Sequence, residues 1–230
     1  YLLGKPVMNS YLSNFLIALL ISVFCYTTII GQDYKILESD KNHLIIEFNF
    51  SNKFGVSDIL IDGIKFTSIK DISYPLQKPG DPFLPTRFYQ IGIPQNTKAV
   101  ARIIDVEREV YNDKFIISTP DSINQPFSEL RYNQEVYGEN LLFPLESSSI
   151  NSDAVFRFIK IASLSVAPFQ FNPVQRTLIF NKRLIVRVDF VKDQTFTDVL
   201  VPIADKISEN IVKTDLINPQ IAKVEKNEDH

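Results

Sequence analysis

The sequence holds a single cysteine, Cys25, and it lies inside an uncharged apolar run, Phe15 to Ile30. If that run is removed on export, the chain that remains has no thiol. Disulfides, thiolate metal sites and a cysteine nucleophile are then excluded from it. Histidine is almost as scarce, with only His43 and His230. His43 sits in a strand pattern, HLIIEFNF, and reads as an ordinary strand residue. A Ser-His-Asp or Cys-His arrangement needs an imidazole held beside a nucleophile, and nothing like a nucleophile elbow occurs. No HExxH or other His-rich metal spacing is present. Seven glycines are too few for a Gly-rich phosphate cradle. Carboxylates such as Asp105 and Glu107 share one strand face and read as solvated surface, although spacing alone does not decide against a glycosidase pair. There is no long basic run, and the net charge is −3 at pH 7, so nucleic acid is not an expected partner. Neither catalysis by this segment, nor a metal, nor a cofactor is expected.

Tryptophan is absent too, beside 18 Phe and 9 Tyr. That balance reads as the filling of a β core, with a sugar-stacking or partner-binding face as the other reading. Apolar residues make up 45% of the chain, which is too many for general disorder.

The N-terminal part, MNSYLSNFLIALLISVFCYTTIIGQ from Met8, reads as an export signal cut after Gly31 or Gln32, with a retained anchor as the alternative. Phe24 stands where a lipoprotein signal needs a small residue, so lipidation of Cys25 is not expected. The membrane is expected as a partner only through this segment. The expected division is upstream residues plus signal peptide over 1–32, a β-sandwich over 33–200, and a helical, charged tail over 201–230 leading to a missing downstream domain.

Strand signals dominate after residue 33. In DILIDGIKFTSI, Asp62-Gly63 stands between two apolar arms, and an Asp-Gly pair accepts the positive φ of a tight hairpin. KAVARIIDVEREVY and KFIIS predict strands split by Asn112-Asp113. AVFRFIKIASLSVAP predicts a bent strand or two strands. In TLIFNKRLIVRVDF, Leu184, Val186, Val188 and Phe190 fall on one face, while Arg183, Arg187 and Asp189 share the other with Ile185. Many short strands with Pro- and Asn-rich connections predict an all-β antiparallel sandwich. Ser118–Ser152 is polar and proline-punctuated with no good strand; a loop of that length inside a compact domain is usually functional or mobile. IADKISENIVK spaces Ile203, Ile207 and Ile211 four apart and predicts a short C-terminal helix, followed by the charged ending VEKNEDH.

KPGDPFLPTRFYQIGIPQ (Lys78–Gln95) is stiffened by four prolines. Proline fixes φ and withholds an N–H, so it suits bends and sheet edges. Pro79-Gly80-Asp81-Pro82 predicts a turn, and Leu84-Pro85 leads into an edge strand over Thr86–Ile93. Phe83, Leu84 and Phe88 are expected to anchor the segment in the core.

Three stretches, taken in order, resemble the N-terminal prodomain of gingipain-type cysteine peptidases, which Bacteroidetes export through the type IX secretion system. They are PGDPFLP followed by an aliphatic strand and Ile93-Pro94, the step IISTPD that opens the polar loop, and APFQFNPVQRTLIFNKRLIVRVDF. In the last, Phe171 replaces the family's usual Tyr in Pro168-Phe169-Gln170-Phe171-Asn172-Pro173. The resemblance covers about Asp33 to Ile211. It implies a β-sandwich propeptide that keeps a downstream or cognate cysteine peptidase domain latent, assists its folding and is then cut away. It also implies that a residue of the loop after Thr119-Pro120 enters the enzyme's specificity pocket. The loop candidates are Phe127 and Arg131, the latter being the first basic residue of the loop. Three readings stay open: Arg131 takes the role, the partner is not Arg-specific, or the loop does not inhibit. An exported adhesive or carbohydrate-binding sandwich without a peptidase is the alternative function.

Overall fold

The computed structural model describes residues 33–61, 63–70, 78–122, 126, 129–156, 159–193 and 214–221. The strands in chain order are β1 (Tyr34–Ser39), β2 (His43–Asn49), β3 (Gly55–Ile61), β4 (Ile64–Lys70), β5 (Arg87–Ile93), β6 (Thr97–Tyr111), β7 (Ser148–Phe156), β8 (Ile159–Val166), β9 (Phe169–Asn172) and β10 (Thr177–Lys192). One helical turn, α1 (Gln134–Tyr137), precedes β7. The export signal expected over 1–32, the helix expected over 203–213 and the ending VEKNEDH lie outside the described residues. Among the described residues no helix is long and apolar enough to cross a membrane.

β10 is the spine of the larger sheet, β1-β2-β10-β6, with β9 also pairing against its first residues. Every named strand pair is antiparallel. β10 shows why the sheet faces as it does. Leu184, Val186 and Val188 are fully buried and Phe190 nearly so, because successive side chains point to opposite faces. The opposite face carries charge. Arg183 pairs with Glu47 on β2 and, at 2.6 Å, with Asp105 on β6. The smaller sheet, β5-β8-β7, presents Tyr89, Ile91, Ala162, Leu164 and Val166 to the same core. The ring of Phe48 on β2 lies 4.8 Å from that of Tyr89 on β5, so aromatic contact bridges the two layers. Phe169 stacks on Phe180 at 4.6 Å. Fully burying one such ring is worth about 1.5–3 kcal/mol. At one end, Lys160 is buried; its ammonium donates to the Thr97 carbonyl at 2.6 Å and sits 3.4 Å from Asp153 and 3.6 Å from Asp193. A buried ammonium persists only when paired in this way, and this one ties β8 to β6, β7 and the end of β10.

Several expectations meet a different outcome. KFIIS forms no strand; it makes isolated bridges, Thr67 to Ile116 and Pro82 to Ser118. β7 begins at Ser148, inside the stretch expected to hold no strand. Its Ser149 hydroxyl lies 2.9 Å from that of Ser165 on β8, and partner pairing outweighs weak strand propensity there. AVFRFIKIASLSVAP takes the second of its two expected forms, two strands, the end of β7 and β8, in register from Phe156 against Ile159. Phe88 does not anchor the core: it is 41% exposed, because alternation along β5 turns Tyr89 inward in its place. Leu84 is fully buried as expected, and Phe83 packs against the core.

β3 and β4 form a separate hairpin in which Ile61 faces Ile64 and Gly63 takes φ +80°. Its anchor is Asp58, whose carboxylate accepts from Lys65 and Lys114, each at 2.9 Å, and from the Thr67 hydroxyl at 3.2 Å. Lys65 first, then Lys114, hold this carboxyl down to about 2, from an ordinary 3.8. A depressed folded-state pKa stabilises fully above the unfolded value and is lost as pH falls through the folded one. The gap in urea midpoint between the wild type and Asp58→Asn is therefore expected to stay constant at neutral pH. It should shrink below pH 3.8 and close near pH 2. A gap that persists at pH 2 would mean the carboxylate charge is not what anchors the hairpin.

Candidate functional site

The Pro-Gly segment makes its turn through residues suited to it. Asp81 N–H donates to the Lys78 carbonyl at 3.1 Å. Pro79 presets φ for the second position, and Gly80 takes φ +91° at the third, as a type II turn requires. This turn then grips the polar loop on both sides. On the incoming limb, Gly80 N–H donates to the Thr119 carbonyl at 2.9 Å, Thr119 N–H to the Asp81 carbonyl at 2.7 Å, and Phe83 N–H to the Ile117 carbonyl at 2.8 Å. On the outgoing limb, Asn133 N–H donates to the Gly80 carbonyl at 2.9 Å. The Asn133 side-chain amide donates to Asp81 Oδ1 at 2.7 Å. Asp81 is itself buried, so this bond works in a low-dielectric place where hydrogen bonds are electrostatically stronger.

Asn133 has a second task. Its Oδ1 accepts from Glu135 N–H at 3.1 Å and caps α1, satisfying a donor that the helix leaves unpaired. α1 seats Tyr137, whose hydroxyl donates to the Ile116 carbonyl at 2.9 Å. Burial pushes the Tyr137 phenol well above its usual value, with smaller contributions from Tyr132 and Asp81, so it stays a neutral donor. Tyr132 stands edge-on to Tyr137 at 4.9 Å and lies 5.9 Å from Phe115. The outgoing limb is thus held by a clip on one side and an aromatic cluster on the other.

Of the two loop candidates, Phe127 lies outside the described residues. Arg131 is on the outgoing limb, two residues before the clip. Its side chain is 84% exposed, and Nε lies 3.6 Å from Asp121 Oδ2 on the incoming limb. An exposed pair of this kind contributes about 0–1 kcal/mol, so it leaves the guanidinium easy to redirect. His43, on β2, sits between the carboxylates of Glu38, 3.0 Å away, and Asp40, 3.3 Å away. Nothing in those contacts pairs it with a nucleophile. Asn133 was not foreseen from the sequence. The signal was there in Asn133 before Gln-Glu-Val-Tyr-Gly, which reads as an N-cap, one turn and a glycine stop.

Replacing Gly80 by alanine tests the turn. A Cβ there would lie 3.3 Å from Asn133 N, at a φ that side chains rarely adopt. The expected cost is about 1–3 kcal/mol, read as a lower urea midpoint at unchanged slope. A variant as stable as the wild type would mean the turn relaxes without strain.

The Propeptide_C25 family model matches residues 29–217. A chain of the complex of Porphyromonas gingivalis RgpB pro- and mature domains superposes with a TM-score of 0.68 and 17% identity, over 83% of this chain and 98% of that one. A structure of gingipain K from Porphyromonas gingivalis, described as giving insight into zymogenic latency, superposes with a TM-score of 0.55 and 17% identity, over 72% of this chain and 96% of that one. No curated protein matches the sequence.

Proposed function

From the premise that this chain belongs to the Propeptide_C25 family, we propose that it is the non-catalytic prodomain of a gingipain-like cysteine peptidase precursor. It keeps the catalytic domain latent, assists its folding and is then cut away. Its partner is a downstream or cognate cysteine peptidase domain, and residues 1–32 hold the export signal. The similar structures support this reading, one of them a complex of pro- and mature domains and the other concerned with zymogenic latency. The observation that carries it is the loop after Thr119, gripped on both limbs by Gly80 and Asp81 and presenting an exposed Arg131. Limbs that are already held in place bind with less entropic cost than free ones. Arg131 and Phe127 are the residues proposed to enter the peptidase cleft, with Arg131 suiting an enzyme that takes a basic side chain.

The test is to express the reading frame that contains this chain and isolate its mature peptidase. The chain is then added in trans and turnover of a fluorogenic peptide is followed. Inhibition that saturates with added chain is expected. Arg131→Ala or Phe127→Ala, whichever side chain occupies the cleft, should weaken it at least about 10-fold, the loss typical of a buried anchor. An unchanged rate at saturating chain would sink the inhibitor reading. Inhibition that neither variant weakens would sink only the assignment of these two residues.

A further inference from the structure

Asp81 and Asn133 lie 52 residues apart in sequence and meet at 2.7 Å under the loop. We propose that this pair is a positioning device, resting on the prodomain reading above, which keeps the loop bound to the peptidase as an inhibitor and prevents its consumption as a substrate. Below the loop the two limbs are joined by the clip, by the Tyr137 hydroxyl on the Ile116 carbonyl and by the Tyr132–Phe115 ring contact, all of them non-covalent. Gly80 holds Thr119 on one side and Asn133 on the other through its own N–H and carbonyl. The Asp81 backbone holds Thr119, while its carboxylate holds Asn133. One short turn therefore bridges the limbs, and its link most open to side-chain chemistry is Asn133 to Asp81.

The consequence follows from the chemistry of a cysteine peptidase. The thiolate sulfur adds to a loop carbonyl carbon, the C–N bond breaks, and the leaving nitrogen takes a proton as a thioester forms. If the limbs stay clipped, the new amine remains beside the thioester. Held groups react as though at very high concentration. The amine then re-forms the amide, returns its proton and expels the thiolate before water attacks. If the clip is open, the amine departs, water hydrolyses the thioester to a carboxylic acid, and the thiolate is regenerated. The same loop residues are then read as a substrate.

Three variants of the full chain test this, each against trypsin and against the mature peptidase of its precursor. Asp81→Ala removes the acceptor. Asn133→Asp keeps an oxygen to cap α1 but sets a carboxylate against Asp81, so its effect cannot be assigned to loss of the cap. Asp81→Asn keeps an acceptor for the Asn133 amide. Native trypsin cleavage after Arg131, followed by mass spectrometry, reads the clip without the peptidase. Asp81→Ala and Asn133→Asp are expected to be cut there at least 10-fold faster than the wild type. They should inhibit the peptidase at least 10-fold more weakly, and the peptidase should cleave them within the loop. Asp81→Asn should stay near wild type in all three readouts. If the wild type inhibits and the two disrupting variants match it in protection and inhibition, the positioning role is overturned and the prodomain reading stands. If Asp81→Asn fails as badly as Asp81→Ala, the hydrogen bond is not the device. If the wild type itself does not inhibit, both readings fall together.

Discussion

Phe171→Ala is expected to destabilise the protein by about 3–5 kcal/mol, the usual cost of emptying a buried aromatic site. The ring is fully buried, and β9 leaves it no room to turn outward, since all four of its residues are buried. Its backbone exchanges hydrogen bonds with Phe143, each at 2.8 Å, so the main chain is fixed and the cavity cannot readily close. The ring touches Phe115 and Tyr137, each at 6.5 Å between centroids, and these residues seat α1 and the outgoing limb of the loop. At roughly 2–4 °C per kcal/mol for a chain of this size, the melting temperature should fall by about 6–20 °C. Phe171→Leu should recover part of the loss. A drop under about 2 °C for the alanine variant would show that neighbouring rings repack into the space. Because the same ring supports Tyr137, the alanine variant should also raise trypsin cleavage after Arg131 at temperatures where the sandwich is still folded.

The central strands were readable from the sequence because their periods are set by burial on one face alone. Leu184 to Phe190 alternate with Arg183, Arg187 and Asp189, and no other arrangement buries the first set. Asp62-Gly63 and Pro79-Gly80 were readable because their backbone chemistry admits few conformations. Phe88 was misread because it and Tyr89 are equally good strand residues, and only the register against Ser165 and Leu164 decides which of them turns inward. Ser148–Ser152 was missed because its strand character comes from β8, not from its own side chains. The loop itself was legible as a polar, proline-marked stretch, whereas its mechanical base was not. Asp81 and Asn133 are unremarkable in isolation, and what joins them is a contact across 52 residues. The segment near residue 216 belongs to the same class. It stood in what read as a charged tail, yet Leu216, Ile217 and Asn218 are all buried.

Asn218→Ala is expected to remove that segment from the sandwich. The side chain is fully buried and works as a surrogate strand residue. Its Oδ1 accepts from Gly92 N–H at 2.7 Å, and its Nδ2 donates to the Gly92 carbonyl at 2.8 Å. Ile217 N–H donates to the Gln90 carbonyl at 3.0 Å alongside, and Leu216 packs with Ile159 and Ile161 of β8. β5 is an edge strand, and an edge left open is a template for unwanted pairing. Truncation at Asn218 orphans the backbone donor and the backbone acceptor of the same buried residue, Gly92, at about 1–3 kcal/mol each, so a total of about 2–6 kcal/mol is expected. Water can relieve part of this only if the segment lifts away, which predicts faster hydrogen exchange at Gly92 and Ile217 without comparable change in β10. Asn218→Asp separates the two bonds: it keeps the acceptor for Gly92 N–H but turns a carboxylate oxygen toward the Gly92 carbonyl. It should cost at least as much as alanine at neutral pH and recover on acidification, when the protonated acid can donate again. If alanine leaves exchange at Gly92 unchanged, the edge is held by Leu216 and Ile217 packing, and Leu216→Ala becomes the substitution that releases it.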